Sequence, residues 1–192
     1  LDEMPPGRTP VTTSLRSTDH RKAVYDFVRS EIAMGRQAYI VYPLVDDSEK
    51  IDLLSAKREF ERLSSEVFLQ ERVGLIHGQL ASAEKDSVMR EFIAGKVDIL
   101  VATTVIEVGI DVPNASVMLI EHAERFGLSQ LHQLRGRVGR GTAESHCILV
   151  AEPGEDALER LRIFRDTSDG FEVARADLRI RGQGDLFGSQ QH

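Results

Sequence analysis

Cysteine is nearly absent from this chain. Cys147 is the only one in 192 residues, so an internal disulfide is impossible and a cysteine-based zinc site is all but excluded. No stretch approaches the ~20 consecutive apolar residues that a membrane span needs. The opening LDEMPPGRTP lacks the basic and then apolar regions of a secretory signal, which makes a cytoplasmic location the expectation. A start at Leu1 rather than Met suggests a piece of a longer protein. An excess of positive charge is also missing: 24 Lys and Arg face 31 Asp and Glu, and the formal charge of -7 argues against a protein that coats nucleic acid through its overall field. Local basic sites remain open. Arginines outnumber lysines 19 to 5, a bias that suits bidentate phosphate contacts and that a GC-rich genome produces equally well. Finally, there is no GxxxxGK[ST] phosphate loop, so nothing on this chain cradles a nucleotide by that device.

What is present fits a soluble globular domain, since 41% apolar residues over this length can bury roughly 70% of the unfolded surface. Val11 to Leu15 has the β-branched character of a strand. Ser17 or Thr18 caps a helix that runs to about Met34 and stops at Gly35. Ala38 to Val45 is a continuous apolar run, the mark of a strand buried on both faces. A charged helix is expected over Ile51 to Phe68. A strand follows at Val73 to Ile76, left through His77 and Gly78, and a helix capped by Ser82 reaches Ala94 before Gly95. Asp98 to Thr103, Ser116 to Glu121 and Ser145 to Ala151 read as three more strands, with a helix from Leu128 to about Arg140 between the last two. This alternation predicts an α/β domain, three layers around a mostly parallel sheet. Beyond Glu152 the pattern shifts to two helices, Glu155 to Arg165 and Phe171 to Leu178, and a basic segment broken by glycines. The expected division is therefore residues 1–152 and an appendage over 153–192.

Three segments carry residues suited to chemistry. In QLRGRVGRG, Gln133, Arg137 and Arg140 fall at positions i, i+4 and i+7, which on a helix would put an amide and two guanidinium groups on one face. Gly136 and Gly139 would each cost such a helix about 1 kcal/mol, so the close approach of a backbone or ligand is the expected compensation. An isolated RxxR pair is more often a solvated face. The glycines, the glutamine and the position after a buried strand turn the reading toward a polyphosphate clamp. The second segment, ATTVIEVGIDVPNA, follows a strand, and ligands of open α/β sheets gather at the carboxyl ends of strands, where Thr103, Thr104, Gly109 and Asp111 are expected. An ordinary turn explains the same residues equally well. The third, LIHGQLASAEKDSVMREFIAG, places His77 and Gly78 before a helix amino terminus suited to a phosphate; a lone histidine there is more often structural.

In this order and spacing the segments resemble the second RecA-like motor domain of superfamily 2 helicases and translocases: HGQLASAEKDSVMREFIAGKVDILVATTVIEVGIDVPNA resembles motifs IVa to V, and QLRGRVGR resembles motif VI. The resemblance implies that Arg137 and Arg140 are arginine fingers for ATP, with Gln133 beside them and Gly109 and Asp111 near the nucleotide. It implies that ATP and Mg²⁺ bind mainly on a first motor domain of the same protein. His77, Gly78, Thr103 and Thr104 are then DNA-binding residues. ERFGLSQLHQLRGRVGRG is similar to two families of double-stranded DNA translocases, the RecG branched-DNA helicases and the transcription-repair coupling factors. Both have a translocation motif to which GFEVARADLRIRGQGDLFGSQQ corresponds, implying a coupling role for Arg175, Arg179, Arg181 and Gln191. The opening DEMPPGRTPVTT and the segment RGQGDLFGSQQ favour the RecG family, whose pattern usually has Asn where His122 stands and Arg where Gln190 stands. That family implies partners in forks and Holliday junctions, a wedge domain upstream and a bacterial cell. A branched-DNA binding module without turnover is the reading from another class.

Overall fold

The computed structural model describes residues 9–44, 49–103 and 111–167 of the chain. Its six strands are β1 (Val11–Arg16), β2 (Gln37–Tyr42), β3 (Val73–Ile76), β4 (Ile99–Thr103), β5 (Ala115–Glu121) and β6 (Ser145–Val150). They form one sheet in the order β1-β6-β5-β2-β4-β3, and every pairing is parallel. The helices are α1 (Arg21–Ala33), α2 (Glu49–Arg62), α3 (Ser82–Ile93), α4 (Leu128–Arg135) and α5 (Glu155–Asp166).

Parallel strands need helices on both faces, and the side chains of the central strands divide accordingly. Tyr39 and Val41 of β2, Leu100 and Ala102 of β4, and Met118 and Ile120 of β5 pack with residues of α3, α4 and α5. Their neighbours Ala38, Ile40, Ile99, Val101, Val117 and Leu119 pack with α1 and with Leu63 and Phe68 on the other face. The alternation is the two-residue period of a strand with both faces buried, and β2, β4 and β5 are buried at every position.

Several elements differ from expectation for local reasons. Ser82 is the first residue of α3 rather than its cap; Ala81 holds the extended backbone of the N-cap. The helix expected over 51–68 is α-helical only to Arg62. Leu63–Val67 is a π-helical stretch, and its widened turn lets Leu63 and Phe68 both reach the core. α4 ends at Arg135, five residues short of the expected Arg140, because Gly136 caps it and Gly139 has φ +82, a conformation no α-helix contains. α5 does not stand apart: Leu161 and Phe164 are fully buried in the same core as Leu131 and Leu134. The second helix expected over 171–178 lies outside the described residues.

Candidate functional site

The carboxyl ends of the central strands form one polar edge. Ile76 of β3 pairs with Ala102 of β4, Thr103 pairs with Tyr42 of β2, and Val41 pairs with Ile120 of β5. His77, Thr103, Tyr42 and His122 therefore leave neighbouring strands at the same level. Thr103 is buried and opens into a cavity of about 170 Å³ that Tyr42, Ser55, Arg58 and His122 also line. His77 is half-buried, and its Nδ1 accepts a hydrogen bond from the amide of Gln79 (3.2 Å). Burial, with Lys57 adding to it, lowers the imidazole pKa below its ordinary value. At neutral pH His77 is thus an uncharged hydrogen-bonding group rather than a cation. A Cβ at Gly78 would meet nothing within 4 Å, so there is room for a ligand on that side. Thr104 and Gly109 lie outside the described residues.

His122 is the one non-glycine residue with positive φ among those described (φ 50, ψ 50). That left-handed conformation suits Asn, the residue the resemblance leads one to expect at position 122, better than most side chains. Directly before it, Glu121 is buried at 1% exposure and accepts bonds from Arg21 (Nη2, 3.0 Å) and from the Tyr25 hydroxyl (3.1 Å). Arg62 in turn donates to Tyr25 (3.0 Å), so the network ties β5, α1 and α2 together beneath this edge.

Asp111 is not at this edge, contrary to the expectation that it would join Thr103. Because β4 and β5 are parallel, the chain must return from the carboxyl edge to the amino edge before β5 can begin. Asp111 stands four residues ahead of Ala115, which pairs with Gln37 at the amino edge, whereas Thr103 pairs with Tyr42, five residues or roughly 17 Å further along β2. There it meets Arg140: Nη1 donates to Asp111 Oδ1 at 2.7 Å, and Nε donates to the carbonyl of Gly136 at 2.9 Å. Both partners are substantially exposed.

Gln133, Arg137 and Arg140 do not share a helix face. Gln133 is exposed on the last turn of α4, while Arg137 and Arg140 lie in the loop that follows it. The glycines are explained by protein packing. A Cβ on Gly139 would come within 2.7 Å of Val11 Cγ2 and 2.9 Å of the Thr9 carbonyl, and one on Gly141 would overlap the Pro113 carbonyl. The amide of Gly139 donates to Ser145 Oγ (3.0 Å), and its carbonyl accepts from the amide of Thr9 (2.8 Å). The close approach expected at a glycine is thus that of the chain's own backbone at Gly139, and its effect is to pin the loop that presents Arg140.

One functional-looking arginine has another task. Arg135, inside the same motif, is 7% exposed. Its guanidinium lies 3.9 Å from the Phe164 ring centroid and donates to the carbonyls of Phe164 (2.8 Å) and Thr167 (2.7 Å) and to Thr13 Oγ1 (3.2 Å). It clamps α5 to α4 and β1. Arg175, Arg179, Arg181, Gln190 and Gln191 lie outside the described residues.

A wholly parallel sheet with helices on both faces, polar strand ends at one edge and a pinned arginine loop at the other define the class: a RecA-like helicase motor domain of the carboxyl-terminal kind. The chain belongs to the helicase conserved C-terminal domain family, which matches residues 19–142. It is 57% identical over 193 residues to the ATP-dependent DNA helicase RecG of Thermotoga maritima, covering 100% of this chain and 25% of that protein. It is 52% identical over 192 residues to RecG of Bacillus subtilis, with 100% and 28% covered. The chain thus spans about a quarter of the length of these relatives. Among solved structures, RecG bound to a three-way DNA junction superposes with a TM-score of 0.81 at 56% identity, over 96% of this chain and 24% of that one. The Saccharomyces cerevisiae protein Dbp5 L327V bound to RNA and ADP BeF3 shares the fold, with a TM-score of 0.55 at 18% identity over 91% of this chain and 45% of that one. No helix among the described residues is long and apolar enough to cross a membrane.

Proposed function

We propose that this chain is the second motor domain of an ATP-dependent double-stranded DNA translocase that remodels stalled forks and Holliday junctions in the bacterial cytoplasm, on the chromosome. The observation that carries the reading is Arg140, exposed yet held at 2.7 Å by Asp111 in a loop pinned through Gly139 and Gly141. A cation held at the surface by packed backbone is preorganised to meet an anion supplied from outside, as transition-state electrostatics requires. Arg137 and Arg140 are donors that fit the γ-phosphate of ATP, and Gln133 stands on the turn before them. The nucleotide and its Mg²⁺ belong mainly to a first motor domain of the same protein, with Gly109 and Asp111 as the nucleotide-binding residues expected of this one. Asp111 then serves by holding Arg140.

The carboxyl edge is assigned to DNA. His77, Gly78, Thr103 and Thr104 would contact the phosphates of one strand and read no bases, because a motor must step across any sequence. Thr103→Val should weaken binding about fivefold, the ~1 kcal/mol of one hydrogen bond, and equally for AT-rich and GC-rich forks. Equilibrium titration of labelled forks checks this; a loss confined to one sequence would contradict the assignment. We keep the division into residues 1–152 and 153–192, with α5 as the docked start of the second unit and Arg175, Arg179, Arg181 and Gln191 as the residues that couple domain closure to movement. A wedge domain elsewhere in the protein would split the fork. The RecG branch is favoured over the coupling factor because relatives matched along the whole chain bear the RecG name.

The deciding experiment compares the complete protein with isolated residues 1–192 in DNA-stimulated ATP hydrolysis and fork unwinding. The complete protein should do both, and the isolated chain neither. Turnover by the isolated chain would overturn the two-domain nucleotide site, and a complete protein that binds forks without turnover would establish the binding module instead.

A further inference from the structure

Tyr42 ends β2 and pairs with Thr103 of β4. Two residues beyond Ile40 and Val101 respectively, both continue the row that faces α1 and Leu63. Tyr42 is only 8% exposed, yet its hydroxyl has no hydrogen-bond partner among the described residues. A buried hydroxyl left unpaired costs stability, and phenylalanine would keep the packing without that cost, so the retained oxygen calls for a partner from outside. Tyr42 lines the cavity of about 170 Å³ between the strand ends and α2, together with Thr103, His122, Ser55 and Arg58. Burial and the nearby Glu121 carboxylate push the Tyr42 phenol well above its ordinary pKa, so it keeps its proton and can donate.

Arg58 is exposed and makes no ion pair among the described residues. Two carboxylates, Asp52 and Glu59, stand on the same wall, and that of Glu59 is held by Arg62 at 3.0 Å. Both walls are fixed from one buried group: Glu121 directly precedes His122, and it reaches α2 through the Tyr25 hydroxyl and Arg62. At about 170 Å³ the space is smaller than the roughly 300–1,000 Å³ that encloses a whole small molecule, and it suits a single anionic group on a larger one. We propose that this cavity seats one phosphate of the DNA backbone, bound by the Arg58 guanidinium and the Tyr42 hydroxyl beside Thr103, so that α2 is part of the DNA interface. The hydroxyl left unpaired in the free domain gains its partner when DNA binds. This inference rests on the reading that the carboxyl edge faces DNA.

The test titrates labelled forks with the complete protein over a range of salt concentrations, with thermal unfolding on the same preparations. Arg58→Ala should weaken binding about tenfold and flatten the slope of log K against log salt by about 0.9, the share of one neutralised phosphate. Tyr42→Phe should weaken binding about fivefold with the slope unchanged, because it removes a donor and no charge, and its Tm should be equal or higher. Lys96→Ala, which removes an exposed positive charge ahead of β4 at the amino edge, should change neither affinity nor slope. Wild-type binding by either Arg58→Ala or Tyr42→Phe, while Thr103→Val binds less tightly, overturns the phosphate seat alone. Wild-type binding by all three overturns the assignment of the edge to DNA as well. A slope flattened equally by Lys96→Ala would make the effect of Arg58 one of overall charge, and a loss of affinity in Tyr42→Phe accompanied by a fall in Tm would make Tyr42 a packing residue; each overturns the proposal. Inorganic phosphate that raises the Tm of wild type but not of Arg58→Ala, with fork affinity equal in the two, would assign the cavity to free phosphate instead.

Discussion

Arg140→Ala in the complete protein should lower DNA-stimulated ATP turnover by about 10³ to 10⁵-fold, the range associated with an arginine finger. The fold should survive the change. The Arg140–Asp111 pair is exposed on both sides, and such pairs contribute only about 0–1 kcal/mol to stability. The loop around it is held independently, by the amide of Gly139 on Ser145 and by the backbone of Thr9 on the Gly139 carbonyl. Fork binding should likewise stay within a few fold, because Arg140 lies at the amino edge of the sheet and the polar strand ends lie at the other. A loss of turnover with Tm and fork affinity preserved is therefore chemical. A drop below tenfold would reassign Arg140 to structure. Turnover, thermal unfolding and fork titration on the same sample separate the outcomes.

The distance between the two edges is the feature that sequence reading handled least well. Strands were legible because burial on both faces leaves an unbroken apolar run, as at Ala38 to Tyr42, and helices 1 and 3 because Gly35 and Gly95, at φ +87 and +79, end their turns. The placement of Asp111 was not legible. Proximity in sequence to Thr103 suggested proximity in space, and only the parallel pairing of β4 with its neighbours sends the chain back across the sheet before β5 begins. The helix expected to reach Arg140 failed for another reason. Gly136 and Gly139 are expected to sit within the helix, their cost offset by a close backbone or ligand, whereas Gly139 takes a left-handed conformation and ends the possibility of a helix there. The two arginines therefore lie in a loop rather than on a shared helical face. Gly139 and Gly141 are explained by contacts with Val11, Thr9 and Pro113, which no local pattern announces.

The buried position of Arg135 has a visible signal in the sequence. Leu128, Leu131 and Val138 lie on the buried stripe of the motif, and the i, i+3, i+7 spacing puts Arg135 on that stripe rather than with Arg137 and Arg140. The reading of the motif names Gln133, Arg137 and Arg140 and leaves Arg135 without a role. The structure gives it stacking on Phe164 and three hydrogen bonds, so it is a structural cation on the inside of α4. Burial lowers its pKa, yet guanidinium remains protonated at any pH the fold meets.

Arg135→Ala should therefore destabilise the domain by about 3 kcal/mol, from lost side-chain packing and from carbonyls deprived of a charged donor. In a domain of this size that lowers Tm by roughly 6–12 °C. The loss should be local in origin. α5 is held to the sheet by Leu161 and Phe164 and by this guanidinium, so hydrogen exchange should quicken first in the amides of α5, while β2, β4 and β5 keep their protection relative to global unfolding. Arg135→Lys retains charge but cannot span Phe164, Thr167 and Thr13 with one planar fork, so it should lose most of the same stability. Arg135→Met retains the stem over the Phe164 ring without the donors, and should fall between wild type and alanine. Urea unfolding of the three variants, read beside exchange rates, measures both the size and the place of the effect. If Arg135→Ala unfolds within 1 kcal/mol of wild type, the clamp is not what holds α5. Arg135 would then belong with Arg137 and Arg140 in the nucleotide loop, and its replacement should lower ATP turnover instead of stability.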